Sequence, residues 1–349
     1  MNKLIKKISL AILALGIIIP LSACTNRSAS NNSESQNKGN SLAVALLTDL
    51  NGVDDKSFNQ SAWEGLTKWG KEHNLTKGLG GYDYVQSHQD SDYPVNINKL
   101  IKNNYNLIYA IGYKLDKAVT DGAKQNPNTK FAIIDTVVPD LDNVTSLTFK
   151  DNESAYLAGM SAALNSKTKK IGFIGGVKGE VINRFEAGYV AGAKAAVPDI
   201  QVDVKYVGAF DKADVAKSIA TAMYNNGNDA IYQAAGSAGL GVFSSAKDAR
   251  KSGKEVYVVG CDRDQTEEGQ YDGGNLTLTS SIKALNTVVE EVSNETLAGN
   301  FPGKQHKVFG LKENGVDISK GQLSTDIWNK VEQTKQDIID GKITVPEKP

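Results

Sequence analysis

The chain is poor in the residues that staple or metallate a fold. Its 349 residues include two cysteines, Cys24 and Cys261. No disulfide framework can be built from them, so a hydrophobic core must hold the structure. The histidines, His73, His88 and His306, are scattered without metal-ligand spacing. No metal and no other cofactor is therefore expected. Strong basic charge is also lacking, with 39 Lys plus Arg against 40 Asp plus Glu. Nucleic-acid binders carry a basic footprint, so no nucleic-acid partner is expected. After the first two dozen residues no apolar run approaches the ~20 residues of a membrane span. Phosphate fingerprints are missing as well. Gly172-x-x-Gly175-Gly176-Val177-Lys178-Gly179 lacks Walker spacing and the Ser/Thr after Lys, and Gly236-x-x-Gly239-x-Gly241 is not the dinucleotide motif.

The beginning of the chain has a distinct layout. Lys3, Lys6 and Lys7 come first, with no acid. Ile8 to Leu21 is nearly all apolar, and Leu21-Ser22-Ala23-Cys24 closes the run. A basic start, a short apolar stretch and small residues describe a secretory signal. With the cysteine directly after Leu-Ser-Ala, the segment resembles a bacterial lipoprotein signal. That resemblance implies cleavage before Cys24 and lipid attachment there, leaving Cys261 without an intramolecular partner. The mature chain would hold 326 residues, with 36 basic and 40 acidic side chains and a net charge of −4. That length suffices for a large core in two lobes. Thr25 to Asn40 is rich in Ser, Asn and Gln without apolar periodicity, and reads as a flexible tether.

From Ser41 onward short β-branched runs alternate with helical patterns. Strands are expected at Leu42–Leu47, Leu107–Ile111, Phe131–Ile134, Val144–Thr148, Lys170–Ile174, Val202–Val207, Ala230–Gln233, Val256–Val259 and Leu276–Thr279. Near-continuous apolar runs suit strands buried on both faces of a parallel sheet. Between them, Phe58, Ala62, Leu66 and Trp69 share one helical face, with Asp54 or Asp55 as cap. Phe185, Tyr189, Ala193 and Val197 do the same, and Asp211 is placed to cap a helix carrying Val215, Ile219, Ala222 and Met223. The pattern predicts an α/β chain with two doubly wound lobes. Helices near Ala284–Leu297 and Ile327–Ile339 would pack back onto them.

Ligands of open α/β sheets bind beyond the carboxyl ends of strands. Asp49, Asn51, Phe58 and Asn59 follow the first run, and Asp135 follows the third. Phe185 lies beyond the fifth, Gly236 beyond the seventh, Asp262 beyond the eighth and Lys283 beyond the ninth. Carboxylates, aromatics and a lysine converging on one side describe the edge of a cleft. By helix position alone, Phe58 and Phe185 read as core residues. Asp135 and Asp262 equally suit loops or caps, and Lys283 a surface.

Thr48-Asp49, then Asp54-Asp55-Lys56-Ser57-Phe58-Asn59-Gln60-Ser61-Ala62-Trp63-Glu64-Gly65, resembles the opening motif of the basic membrane protein family. These are substrate-binding lipoproteins of ABC transporters, and the purine nucleoside receptor A-like group is the nearest match. Glu153–Gly159, Lys170–Gly176, Phe185–Tyr189, Val259–Gln265 and Thr279–Lys283 keep the family's order across the chain from about Ser41. The resemblance implies a type I periplasmic-binding-protein fold, with two lobes joined by three crossovers and a ligand cleft between them. It implies lobes over 41–150 plus about 284–305, and over 151–283 plus about 306–349, behind a signal at 1–23 and a tether at 24–40. It further implies a nucleoside ligand, an ABC permease as partner, a membrane tie through lipid at Cys24 on the extracytoplasmic face, and a monomer. Phe58 and Phe185 would stack on the base. Asn59 and Asp135 would meet its edge, and Asp262 and Lys283 the ribose hydroxyls. Asp49 and the Gly236 backbone would complete the set. No chemical step is implied. A sugar or autoinducer receptor of the same fold is the first rival, followed by a nucleoside hydrolase using the Asp cluster and by an adhesin.

Overall fold

The computed structural model describes residues 42–349. The expected signal, the anchor at Cys24 and the tether lie outside the described residues. The first sheet is built from β1 (Val44–Thr48), β2 (Tyr82–Val85), β3 (Leu107–Ile111), β4 (Lys130–Ile134) and β5 (Val144–Phe149). Helices α1 (Phe58–Glu72), α2 (Asp92–Lys102) and α3 (Asp116–Gln125) connect them, and α4 (Asp151–Asn165) leaves the lobe. The second sheet contains β6 (Lys170–Gly175), β7 (Gln201–Tyr206), β8 (Ala230–Ala234) and β9 (Tyr257–Asp262), with α5 (Glu180–Ala196), α6 (Ala213–Asn225) and α7 (Leu240–Lys251) between them. A short hairpin of β10 (Gln270–Tyr271) and β11 (Gly274–Asn275) leads into β12 (Thr277–Lys283). Then come α8 (Leu285–Leu297), β13 (His306–Phe309), β14 (Val316–Ile318) and α9 (Thr325–Ile339).

The two sheets repeat one topology. The first runs β13-β5-β4-β3-β1-β2 and the second β14-β12-β9-β8-β6-β7. All neighbours pair in parallel except β12 with β14. Each order reverses direction at its first strand, which opens a crevice between the loops after β1 and β3 and, in the second sheet, after β6 and β8. Alternation along β1 shows why both faces are covered. Val44 and Leu46 enter the large core shared with α1 and α8, while Ala45 and Leu47 face Ile97 and Val119 of α2 and α3. The second sheet is packed likewise, with Ile171 and Phe173 turned to the large core and Ile174 to the α6 and α7 side.

The chain passes between lobes three times, at β5 to α4, at β12 to α8 and at β13 to β14. The third passage falls later than the sequence suggests. His306–Phe309 has little apolar content, yet it pairs with Ser146–Phe149 and extends the first sheet. The short edge strands β2 and β14 carry no long apolar run and escape sequence reading for the same reason. The α6 face also differs from expectation. Ala216, Ala220 and Met223 are buried and Val215 is exposed, and Asp211 lies outside the cap, which is Lys212. Close approach of α7, whose Gly241 meets the Ala213 carbonyl, selects small residues for the inward face.

Candidate functional site

A cavity lined by residues of both lobes opens between the carboxyl ends of the two sheets. All eight residues singled out from the sequence, Asp49, Phe58, Asn59, Asp135, Phe185, Gly236, Asp262 and Lys283, line it. Lys283 and Asp262 are the last residues of β12 and β9 rather than loop residues. Asp135 follows β4, the counterpart of β9 in the other sheet. Asp135 and Asp262 both adopt left-handed backbone, with φ of 65° and 68°. Such a conformation costs free energy in a non-glycine residue and clusters at functional sites. Gly236 opens the short turn after β8 with φ of 57°, which a glycine adopts without strain.

Around α1 the polar groups form a fixed array. The N-cap position of α1 is Ser57 rather than either aspartate weighed for it, though Asp55, two residues earlier, serves the helix start. Its carboxylate accepts from the backbone N–H of Ser57, Asn59 and Gln60 at 2.9, 2.9 and 3.0 Å. The helix start, with its free N–H groups and partial positive charge, favours that carboxylate. The Asn59 side-chain amide donates to Asp49 Oδ1 at 3.1 Å and to Asp55 Oδ2 at 2.9 Å. Two carboxylates therefore fix the amide's orientation, and Asn59 offers only its oxygen to a ligand. That Oδ1 is buried and has no hydrogen-bond partner. The sequence had left Asn59 free to donate or accept; its neighbours remove the first option.

The far side of the cavity holds a buried ion cluster. The Lys283 ammonium donates to both Asp135 oxygens at 2.8 and 2.7 Å, and Asp151 Oδ1 lies 3.1 Å from it. Arg184 donates to the other Asp151 oxygen, with Nη2 at 3.0 Å and Nε at 3.3 Å. Asp262 instead accepts from the Ser57 hydroxyl at 2.5 Å. Thus the lysine grouped with Asp262 from sequence has Asp135 and Asp151 as its direct partners. Asp151 and Arg184 escaped sequence reading, because Asp151 looks like a helix-start acid and Arg184 like a helix-surface cation. The Lys283 ammonium also sits 5.0 Å from the Phe58 ring and 5.8 Å from that of Phe185, a distance at which a ring face attracts a cation.

Burial dominates the acid–base balance. It pushes Asp49 up to about 6, against hydrogen bonds from Asn51 and Asn59. Asp262 likewise rises to about 6 through burial, against the pull of Lys283 and the Ser57 hydrogen bond. Asp55 and Asp135 are raised too, again chiefly by burial. Burial works against the charge of Lys283, but the Asp135, Asp151 and Asp262 carboxylates outweigh it and hold the ammonium protonated. Burial raises the Cys261 thiol well above its ordinary value. A thiol kept protonated in this way is a poor nucleophile. Among the described residues no cluster suits a metal ion and no helix is long and apolar enough to cross a membrane.

A family model described as "ABC transporter substrate-binding protein PnrA-like" matches residues 42–349. The chain is 48% identical over 349 residues to "ABC transporter nucleoside-binding protein BmpA" of Lactococcus lactis subsp. cremoris, covering 98% of this chain and 99% of that one. It is equally 48% identical, over 97% of both chains, to the "CD4+ T-cell-stimulating antigen" of Listeria monocytogenes. Among solved structures, an ABC transporter system solute-binding protein from Aeropyrum pernix K1 superposes with a TM-score of 0.77 at 26% identity, covering 87% of this chain and 94% of that one.

Proposed function

The chain belongs to the PnrA-like family of ABC transporter substrate-binding proteins, and from that premise we propose that it captures nucleosides, purine nucleosides foremost, for delivery to an ABC importer. The observation that carries this reading is a cavity walled by one phenylalanine from each lobe, with the Asn59 amide fixed at its edge by Asp49 and Asp55. A base edge brings N–H donors for an acceptor such as the Asn59 oxygen, as a sugar hydroxyl also would, so it is the flat aromatic pair that favours a base over a simple sugar. Phe58 on α1 and Phe185 on α5 offer flat apolar surface for the base, and Asp49 a further acceptor. Asp262 and Lys283, at the ends of neighbouring strands, offer an acceptor and a donor for ribose hydroxyls. Four carboxylates, Asp49, Asp55, Asp135 and Asp262, line the cavity against two lysines, Lys114 and Lys283. This balance disfavours a phosphate and favours nucleosides over nucleotides.

The protein acts by closing rather than by chemistry. Asp49, Phe58, Asn59 and Asp135 come from the lobe carrying β1 to β5, and Phe185, Gly236, Asp262 and Lys283 from the lobe carrying β6 to β12. A ligand that touches both sets favours the closed population. The closed monomer, held at the extracytoplasmic face by lipid on Cys24, would then meet its permease.

Calorimetric titration of the chain from Cys24 onward, unfolded and refolded to remove carried-over ligand, tests this. Adenosine, guanosine, inosine, uridine, cytidine and ribose are the probes. One-to-one nucleoside binding, with purines tighter and binding lost in Asp262→Ala, is expected. Heat with ribose but with no nucleoside would overturn the assignment.

A further inference from the structure

Four buried charges lie at the junction of the lobes, and only two of them touch the cavity. Asp135 and Lys283 line it; Asp151 and Arg184 do not. The side chain of Asp151 is 0% exposed and that of Arg184 11%. Asp151 is the first residue of α4, just after the passage from β5, and Lys283 is the last residue of β12, just before the passage to α8. The chain of contacts runs Arg184 to Asp151, Asp151 to Lys283, and Lys283 to both oxygens of Asp135. It therefore starts in the second lobe, crosses two of the three passages and ends in the first.

We propose that Asp151 and Arg184 are positioning residues for ligand capture, holding the Lys283 ammonium at the hinge where it clasps Asp135 and faces the ligand. A lysine side chain is flexible and carries a single point charge. Asp135, bonded through both oxygens, and Asp151, 3.1 Å away, together restrict where the ammonium can sit. Arg184 supplies the counter-charge beside buried Asp151 and orients its carboxylate through two hydrogen bonds from a rigid fork. The four charges sum to zero, so the cluster can be buried. Without Arg184 and Asp151, Lys283 keeps its pairing with Asp135 but loses the second carboxylate that fixes its ammonium.

The ligand-binding arm of the test rests on the nucleoside reading above; the labelling arm does not. The full chain in detergent is compared with the double variant Asp151→Asn/Arg184→Met, which removes one charge of each sign. Three quantities are read: melting temperature, acylation of Lys283 in the ligand-free protein by mass spectrometry, and affinity for nucleosides. Removing a balanced buried pair leaves melting near that of wild type. The expected result is at least ~10-fold faster acylation of Lys283, other lysines unchanged, and affinity weaker by roughly 10- to 100-fold, as for loss of charge-assisted hydrogen bonds. A folded double variant with Lys283 still protected and wild-type affinity would overturn the proposal. Should the double variant not fold, Arg184→Lys keeps the charge and loses the fork. A several-fold affinity loss with partial exposure of Lys283 is then expected, and wild-type values in both would overturn the proposal. If wild type binds no nucleoside, the function reading falls while Lys283 labelling still decides the positioning role.

Discussion

Phe58 and Phe185 line the same cavity but carry different loads. Phe58 is half-buried at the start of α1. Phe185 is buried and packs edge-on against Tyr232, ring centroids 6.4 Å apart. Phe58→Ala is therefore expected to cost ~1–3 kcal/mol of ligand binding with little loss of stability. Phe185→Ala is expected to lose binding and, in addition, ~3–5 kcal/mol of stability through the cavity it leaves. Titration and urea denaturation of both variants check the contrast; equal stability losses would argue against it. The carboxylates make a second residue-scale prediction. Asp49 and Asp262 rise from 3.8 to about 6 on folding. Below the lower value both folded and unfolded states hold the proton, and between the two values the folded state holds it more. Each group's contribution is thus full in acid and is lost as the pH rises through about 6. Ligand-free Asp262→Asn is accordingly expected to be more stable than wild type by roughly 1–3 kcal/mol at pH 8, and to lose that advantage toward pH 4. Denaturation at both pH values measures it, and a difference that does not change with pH would contradict it.

At the scale of elements, α4 and α5 depend on glycine. A Cβ on Gly188 would lie 2.1 Å from the Asn152 carbonyl oxygen, and one on Gly192 1.9 Å from that of Tyr156. The helices approach backbone to backbone, and that closeness brings Arg184 of α5 onto Asp151 of α4. Gly188→Ala must push them apart, at a cost of ~1–3 kcal/mol or more, as for overpacking generally. It should also weaken ligand binding, although the residue is remote from the cavity. Denaturation and titration test the pair of effects, and loss of stability with intact affinity would separate α4–α5 packing from the site. Element α1 shows the opposite economy. One carboxylate, Asp55, serves the helix start and orients Asn59 at once. Asp55→Ala should therefore cost ~1 kcal/mol or more of stability and loosen the Asn59 acceptor in the same step, which a matched loss of nucleoside affinity would reveal.

At the scale of the molecule, contacts at and beyond the cavity wall also bridge the lobes. Gln265 donates to the Lys56 carbonyl at 2.8 Å, Ser237 to Asn51 at 2.7 Å, and Arg263 pairs with Glu64 at 2.8 Å. These contacts tie the lobes together, and of them the Arg263–Glu64 pair does not line the cavity. Arg263→Ala is therefore expected to weaken every ligand by one common factor. The factor is small, because a half-exposed ion pair contributes ~0–1 kcal/mol. Ligand-to-ligand ratios should stay at wild-type values, and small-angle scattering of the free protein should show a larger radius. A change in selectivity would instead place Arg263 in recognition.

The order of strands and helices was legible in the sequence because each depends on local periodicity, and long apolar runs such as Leu107–Ile111 leave little choice. Short edge strands were not legible, since β13 is held by pairing with β5 rather than by its own composition. The cavity residues were visible because polar groups after buried strands must converge at the sheet ends, and the family motif kept their order. Their partners were not. Lys283 meets Asp135 across 148 positions of chain, and Asn59 becomes an acceptor because Asp49 and Asp55 occupy its donors. The sequence by itself determined the elements and the chemical groups at the cleft. Tertiary structure alone decided which charges neutralise one another and which polar atom is left for the ligand, because hydrogen bonds and buried ion pairs form only between groups that folding brings within about 3 Å.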